Sequence, residues 1–123
     1  MKRHPLGPET VLAPFVENAC WAFAGNNGTL TIKLRQRTLI GSVSFQQTEA
    51  PLSFFLAQAP KNVEVVDANG GAILGSFESR ADVSFQTFQL AKPKETDSVT
   101  FNFKSNHGSA EFTCVGKIRL HAV

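Results

Sequence analysis

The regular alternation of polar and apolar residues limits the fold of this sequence more than any other feature, because a two-residue period fits extended strands and not helices. In the run from Thr29 to Leu34, the apolar residues fall on one face, and the run from Val99 to Phe103 alternates in the same way. The pattern as a whole predicts about seven strands, over residues 29–34, 39–45, 62–66, 72–77, 85–90, 99–103 and 112–123. Short strands at such regular spacing predict an all-β sandwich or barrel.

Turn signals and two ambiguous segments complete the prediction for the backbone. Asn69-Gly70-Gly71 lies between two apolar runs and predicts a hairpin turn. Residues 15–23 could form a helical turn or two that ends at Gly25. The apolar segment 52–58 is compatible with a helix, a strand or a packed loop, because its period favours none of them.

Composition indicates one globular domain without a strong charge. The chain has 123 residues, of which 42% are hydrophobic and 18% charged, as is typical of a folded domain. Its formal net charge of +2 provides no strong attraction to nucleic acid or to an anionic membrane. The longest apolar stretches, such as 52–59, are too short to span a bilayer. The chain as given is therefore expected to be soluble, with any targeting segment in a longer parent protein.

No arrangement of residues in the sequence calls for catalysis or a metal site. The sequence contains no P-loop, G-x-S-x-G elbow or H-E-x-x-H helix, and its acidic residues lack the spacing of a paired-carboxylate site. His107, the one histidine in a predicted loop, is interpreted as a surface group. Lys33, Arg35 and Arg37 are interpreted as a solvated strand face rather than a nucleic-acid patch. We therefore expect a binding module, not an enzyme, that binds through its loops or along a strand edge.

Two cysteines, Cys20 and Cys114, lie near opposite ends of the chain. Their number alone is compatible with free thiols in a reducing compartment and with one disulfide that ties the ends together. Asn27-Gly28-Thr29 is an acceptor sequence for N-glycosylation, which would indicate a secretory compartment. Asn-Gly is also a tight hairpin turn, and this simpler interpretation explains the same residues without a glycan.

Several motifs follow one another along the chain in a specific order. Val11-Leu12-Ala13-Pro14 precedes Cys20-Trp21-Ala22-Phe23, which leads into a predicted strand. Ala59-Pro60-Lys61 and Ser105-Asn106-His107-Gly108 follow, and Glu111-Phe112-Thr113-Cys114 begins the last strand. In combination, and over almost all of the chain from Val11 onward, these motifs resemble the SUN domain of nuclear-envelope bridging proteins.

The resemblance implies an antiparallel, jelly-roll-like β-sandwich in a single domain over residues 11–123, preceded by an extended N-terminal arm over residues 1–10. It also implies a disulfide between Cys20 and Cys114. SUN domains lie in the perinuclear space behind a transmembrane segment and a coiled coil, and as trimers they bind the C-terminal tails of KASH proteins. The resemblance thus implies the luminal domain of an inner-nuclear-membrane protein that binds a KASH peptide and so connects the nucleus to the cytoskeleton.

The family's peptide-clamping lid and its coiled coil have no counterpart in residues 1–10. We therefore expect the isolated chain to be monomeric, although the membrane-anchored parent protein is expected to form a homotrimer.

The KASH pocket of the family offers a histidine, a serine and two tyrosines to the end of the peptide. By position these correspond to Gln47, Gln58, Phe112 and Gly116. The sequence contains no tyrosine, but the two glutamine amides can donate hydrogen bonds to a carboxylate. Gly116 is expected to leave space for a bulkier partner.

Members of the family also bind a monovalent cation, K⁺ or Na⁺, through backbone carbonyls of the loop before the Cys-Trp pair. This loop is one residue shorter here than is usual in the family, and a phenylalanine replaces a common aspartate. No other cofactor is implied. Carried over by position, the carbonyl donors are Thr10, Ala13, Phe15, Ala19 and Gly116.

Two other functions also fit a luminal β-sandwich. The first is a module that binds carbohydrate or client proteins, and an exposed Trp21 able to stack on a sugar would favour it. The second is a structural trimer module without a ligand.

Overall fold

The computed structural model describes residues 4–6, 11–12, 19–47 and 57–123. Within these ranges the backbone is mainly extended, and helical positions are confined to 11–12 and 57–58. The strands are β1 (His4–Leu6), β2 (Ala19–Ala24), β3 (Gly28–Gln46), β4 (Asn62–Asp67), β5 (Ile73–Glu78), β6 (Phe85–Phe103), β7 (Phe112–Val115) and β8 (Lys117–Ala122).

The strands form two sheets that pack as a β-sandwich, which confirms the predicted fold class. The larger sheet has the order β5-β4-β6-β3-β8, and all neighbouring strands in it are antiparallel. The smaller sheet has the order β1-β2-β7, in which β2 and β7 are antiparallel and β1 and β2 are parallel. Part of the predicted N-terminal arm thus belongs to the smaller sheet, because residues 4–6 pair with 19–21.

Two long strands, β3 and β6, each join two of the predicted strands. The pairing register between them shifts between Lys33 and Thr38 and again between Ile40 and Ser42. Such β-bulges let a strand bend while its backbone stays extended. The polar residues between the predicted strands therefore belong to a strand and not to a loop.

Two other predictions differ from the structure. The helical turn expected over 15–23 is wrong from Ala19 onward, because these residues form strand β2, which pairs with β1 and β7. The earlier residues lie outside the described ones. The predicted last strand is divided at Gly116 into β7 and β8, which belong to different sheets. Of the ambiguous segment 52–58, residues 57–58 are helical and the others lie outside the described residues.

Aromatic side chains join the two sheets. Phe101 and Phe103 of β6 are fully buried. The rings of Trp21 and Phe23, on the facing strand β2, lie 6.3 and 5.9 Å from the ring of Phe103, measured between centroids. Phe103 therefore provides the contact through which β2 packs against the larger sheet.

A buried carboxylate stabilises the turn between β4 and β5. Asp67 is 3% exposed and accepts hydrogen bonds from Thr96 Oγ1 at 2.7 Å and from the backbone N–H of Asn69 at 3.1 Å. Lys94 Nζ lies 3.1 Å from Asp67 Oδ2. The Thr96 hydrogen bond is the largest influence on the pKa of Asp67 and, with the contact from Lys94, keeps it below its usual value although burial alone would raise it.

We expect Asp67→Asn to lower the free energy of unfolding at pH 7 by about 1–3 kcal/mol, because hydrogen bonds to a charged acceptor are lost. A carboxyl group with a lowered folded pKa stabilises the fold above its ordinary pKa, and this effect is lost as the pH falls through the lowered value. The difference between wild type and variant should therefore shrink below about pH 4. Urea unfolding of both proteins over a pH series measures this difference in the free energy of unfolding. A difference that stays constant into strong acid would contradict an ionic role for Asp67.

Candidate functional site

A disulfide closes the smaller sheet. β2 and β7 lie side by side, with Trp21 opposite Val115 and Ala22 opposite Cys114. This register brings the Cα atoms of Cys20 and Cys114 to 5.6 Å, and the two buried sulfurs are bonded. The pairing implied by the resemblance is confirmed, and the alternative of two free thiols is excluded.

Trp21 does not form an exposed platform. Its half-buried ring faces the core and lies 5.0 Å from the ring of Phe23 and 6.3 Å from that of Phe103. Because the ring packs against its neighbours, less of its face is available to a ligand than in an exposed tryptophan. This arrangement argues against stacking of Trp21 on a sugar.

Gln47, the first predicted peptide contact, uses its amide hydrogens within the protein. The residue is 9% exposed, and its Nε2 lies 2.9 Å from the backbone oxygen of Arg80, 3.2 Å from that of Ala81 and 2.9 Å from that of Val83. An amide NH₂ group carries only two hydrogens, so these carbonyls saturate it. Gln47 therefore fixes the loop between β5 and β6 and has no donor left for the carboxylate it was predicted to bind.

Gly116, which was expected to leave open space, lies against a neighbouring backbone. A Cβ atom at this position would overlap with the carbonyl oxygen of Gln46 and would lie 3.1 Å from the Cα atom of Gln47. The close approach of β3 at this point requires a residue without a side chain. On this side, backbone atoms fill the volume that the sequence predicted to be free. A peptide contact at Gly116 stays a prediction.

The turn before Phe112 is held by a buried asparagine. Asn106 is 9% exposed, and its Nδ2 donates to the backbone oxygen of Ser109 at 2.9 Å and to Thr113 Oγ1 at 3.0 Å. Its Oδ1 accepts the backbone N–H of Gly108 at 3.0 Å. Gly108 has a φ of 132°, a value that favours glycine. These contacts position the half-buried Phe112 at the start of β7.

Gln58 lines a cavity of about 330 Å³ with its neighbours in space, and we call this cavity the Gln58 pocket. Gln58 is 2% exposed, and its Oε1 is the one buried side-chain oxygen or nitrogen in the described part of the chain without a hydrogen-bond partner. A buried acceptor without a donor costs about 1–3 kcal/mol. A donor group on a ligand would remove this cost once the amide turned toward the cavity. The described residues that line the pocket are Ala57, Gln58, Ser109, Ala110 and Glu111.

The predicted peptide contacts do not meet at one point. Gln58 and the turn before Phe112 lie at one end of β7, whereas Gly116 and Gln47 lie at the other end. Along a strand, the step from Phe112 to Gly116 covers about 13 Å. A single terminal group cannot reach both ends, so a peptide that contacted all four residues would have to run alongside β7.

The predicted cation site falls mainly on residues that the structure does not describe. Thr10, Ala13 and Phe15 lie outside the described residues. Ala19 begins β2 and Gly116 follows β7, so the antiparallel register places these two backbones at the same end of the strand pair. Binding of K⁺ or Na⁺ stays a prediction.

Two other interpretations from the sequence can be compared with the structure. His107 is not a free surface group, because its Nε2 lies 2.7 Å from the backbone oxygen of Ser79 and donates to it. Lys33, Arg35 and Arg37 are exposed on β3, and Arg37 also contacts Glu95 across the sheet at 3.6 Å.

Within the described ranges, no three His, Cys, Asp or Glu residues are close enough to hold a metal ion. No helix in these ranges is long and apolar enough to cross a bilayer.

A second cavity, of about 500 Å³, lies between β3 and β8 and has a basic lining. We call it the β3–β8 groove. Its lining includes the apolar Leu34 and Leu120. The basic residues that line it are Lys33, Arg35, Lys117, Arg119 and His121.

Solved structures with the same fold include bacterial carbohydrate-binding modules. A family 32 carbohydrate-binding module of Streptococcus pneumoniae EndoD matches with a TM-score of 0.67 at 14% identity, over 85% of this chain and 75% of that chain. A putative chitobiase fragment from Bacteroides thetaiotaomicron matches with a TM-score of 0.72 at 11% identity, over 95% of this chain and 75% of that chain. At these identities the likeness shows the β-sandwich fold alone.

The most informative similarity is in sequence. SUN domain-containing protein 5 of Mus musculus is 29% identical over 123 residues, which cover 93% of this chain and 33% of that protein. SUN domain-containing protein 3 of Homo sapiens is 30% identical over 129 residues, which cover 96% of this chain and 36% of that protein. The chain thus spans about a third of the length of these curated relatives. The sequence profile of the Sad1/UNC-like C-terminal family matches residues 1–123, and because this match covers the whole chain, the protein belongs to that family and its β-sandwich is a SUN domain.

Proposed function

We propose that this SUN domain is the luminal binding module of a nuclear-envelope bridge and that it receives the C-terminal tail of a KASH protein at the Gln58 pocket. The domain binds without chemistry, and the bridge positions and anchors the nucleus. The observation that carries the proposal is Gln58, which lines an open pocket and whose buried Oε1 has no hydrogen-bond partner within the protein. Such an atom is retained at a cost to stability unless a ligand completes its hydrogen bond.

The proposed setting is consistent with the chemistry of the fold. A disulfide persists in an oxidising compartment, and the perinuclear space is continuous with the lumen of the endoplasmic reticulum. In this proposal the parent protein is anchored in the inner nuclear membrane and is a homotrimer, and the isolated domain is a monomer. A K⁺ or Na⁺ ion at the carbonyl loop before β2 is part of the proposal.

A peptide titration tests the proposed function. We expect a synthetic KASH-protein tail peptide to bind the wild-type domain and to bind Gln58→Met about tenfold more weakly, because a hydrogen bond in a buried site is lost. Methionine has nearly the length and shape of glutamine, so the pocket keeps its form. Gln89→Met, at an exposed position on β6, is the matched control and should bind as wild type does. Isothermal titration calorimetry measures the affinities; equal affinity in Gln58→Met and wild type, or a wild-type domain that binds no tail, would contradict the proposal.

Asn27 allows a separate test of the compartment. It lies exposed in the turn between β2 and β3, and Thr29 at the third position of the acceptor sequence is also exposed. The cysteine that pairs with Cys20 follows it by 94 residues, so the acceptor sequence enters a lumen before the disulfide can form. We expect the parent protein from cells to lose mass on treatment with peptide-N-glycosidase F, and Asn27→Gln to abolish this change while Asn26→Gln does not. A parent protein that carries no glycan at Asn27 in cells would contradict the use of Asn27-Gly28-Thr29 as an acceptor sequence and would support its interpretation as a hairpin turn.

Carbohydrate recognition is the alternative function, because the same fold occurs in a family 32 carbohydrate-binding module of Streptococcus pneumoniae EndoD. The packing of Trp21 into the core argues against it. We expect no saturable binding when the domain is screened against a glycan array. A structural module without any ligand would bind neither glycans nor tail peptides.

A further inference from the structure

We propose that the β3–β8 groove binds a second partner, an extended peptide segment in which acidic and apolar residues alternate. The carboxylates of this segment contact the basic side chains of the groove, and its apolar side chains pack on the leucines between them. The groove and the Gln58 pocket share no lining residue in the described part of the chain. Binding at the groove therefore does not depend on the proposed function.

Positive charges without an ion pair are concentrated in the groove. In the described part of the chain, Lys33, Arg35 and Arg119 have no carboxylate partner, and all three line the groove. Outside the groove, Lys92 is the only described lysine or arginine of this kind. The other described cations outside it lie between 2.9 and 3.9 Å from a carboxylate oxygen, and they are Arg37, Lys61, Arg80, Lys94 and Lys104.

No described residue that lines the groove is an aspartate or a glutamate. His121 Nε2 makes a hydrogen bond with Ser44 Oγ at 2.6 Å, and Lys117 also has a contact. The positive charge open to a ligand therefore belongs to Lys33, Arg35 and Arg119, which are all exposed. A bound carboxylate would meet opposite charge here without displacing an internal ion pair, although the formal net charge of the chain is only +2.

The groove also offers apolar surface. Leu34 and Leu120 are half-buried, and Leu12 is 53% exposed. Burial of this surface favours a ligand that carries apolar side chains as well as charge. A nucleic-acid backbone has no such groups, and the described lining includes no phenylalanine, tyrosine or tryptophan on which a base could stack. A flat bilayer surface cannot follow a concave groove. The lining thus favours a peptide over these two polyanions.

The strand β8 has the period that an extended peptide requires. Lys117, Arg119 and His121 alternate with Ile118 and Leu120, so basic and apolar side chains lie on opposite faces of the strand. β8 is the last strand in the order of the larger sheet, and sheet edges bind extended peptides by strand addition. The strand spans about 20 Å, which an extended segment of about six or seven residues matches.

A pair of matched peptides tests the proposal. The acidic probe is Glu-Leu-Glu-Leu-Glu-Leu-Glu with an acetylated and an amidated end, and in the neutral probe glutamine replaces each glutamate. In titrations of the ¹⁵N-labelled domain, we expect the acidic probe to shift the backbone amides of residues 32–35 and 117–121 and the neutral probe to leave them unchanged. Its affinity should fall severalfold as sodium chloride rises from about 50 to about 500 mM, because salt screens exposed charges.

Charge-reversal variants locate the contact. We expect Arg35→Glu and Arg119→Glu each to weaken the acidic probe about tenfold, because an exposed ion pair is replaced by a repulsion of similar size. Lys92→Glu is the matched control, since it changes the net charge equally at an exposed position outside the groove, and it should bind as wild type does. Both arginines are exposed, so urea unfolding should show that all three variants keep the stability of the wild type.

Several results would overturn the proposal. An acidic probe that leaves the groove amides unshifted would do so, as would a neutral probe that binds equally well. An equal loss of affinity in Lys92→Glu would show that net charge, and not the groove, attracts the peptide. If a single-stranded oligothymidylate or vesicles of phosphatidylserine and phosphatidylcholine shift the groove amides at lower concentration than the acidic probe, the groove binds another polyanion and the proposal is wrong.

Discussion

Replacement of Cys20 and Cys114 together by alanine is expected to lower the free energy of unfolding by about 4–5 kcal/mol. The disulfide joins residues 94 positions apart, and a cross-link across so long a loop removes much of the conformational entropy of the unfolded chain. It also ties β2 to β7, and the turn of residues 109–111, which lines the Gln58 pocket, leads directly into β7. Guanidinium unfolding at equilibrium, monitored by the fluorescence of Trp21, measures the change.

A reductant provides the control for this double variant. Dithiothreitol should destabilise the wild type by nearly the same amount and should leave the Cys20→Ala/Cys114→Ala protein unaffected. A double variant that unfolds at the same denaturant concentration as the oxidised wild type would show that packing, and not the disulfide, closes the smaller sheet.

Phe103→Ala is expected to destabilise the domain by about 3–5 kcal/mol, because a fully buried aromatic ring leaves a cavity that the fold cannot close. The loss reaches the smaller sheet, since the rings of Trp21 and Phe23 both pack against Phe103. We therefore expect a change in the emission maximum of Trp21 in the folded variant. Phe85→Ala is the matched control, because Phe85 is 50% exposed and its removal should cost far less. Equal effects of the two substitutions would contradict the assignment of Phe103 to the contact between the sheets.

The strands were predictable where polar and apolar residues alternate regularly. The alternation in 29–34 and 99–103 predicts strands, and both segments are paired with each other in the larger sheet. The length of β3 was not predictable in the same way, because a bulge between Lys33 and Thr38 carries the strand through polar residues that resemble a loop. The division at Gly116 depends on contact with β3, which no local pattern reports.

The disulfide was predictable from the resemblance, whereas the surroundings of the predicted peptide contacts were not. The resemblance to SUN domains identified Cys20 with Cys114 and pointed to Gln47 and Gln58 together. The structure gives the two glutamines different roles, because carbonyl oxygens of residues 80–83 accept the amide hydrogens of Gln47, whereas no donor reaches Gln58 Oε1. Which polar groups face each buried amide is decided by tertiary packing, so two residues of the same type cannot be separated by sequence pattern.

Chemical-shift mapping of a bound tail peptide on the ¹⁵N-labelled domain locates the binding site in one measurement. If the tail is received beside β7, the amides that shift most will be those of residues 57–58 and 109–112, including the side-chain amide of Gln58. If the shifts fall instead on residues 32–35 and 117–121, the partner occupies the β3–β8 groove, and the Gln58 pocket is not the site that holds the tail.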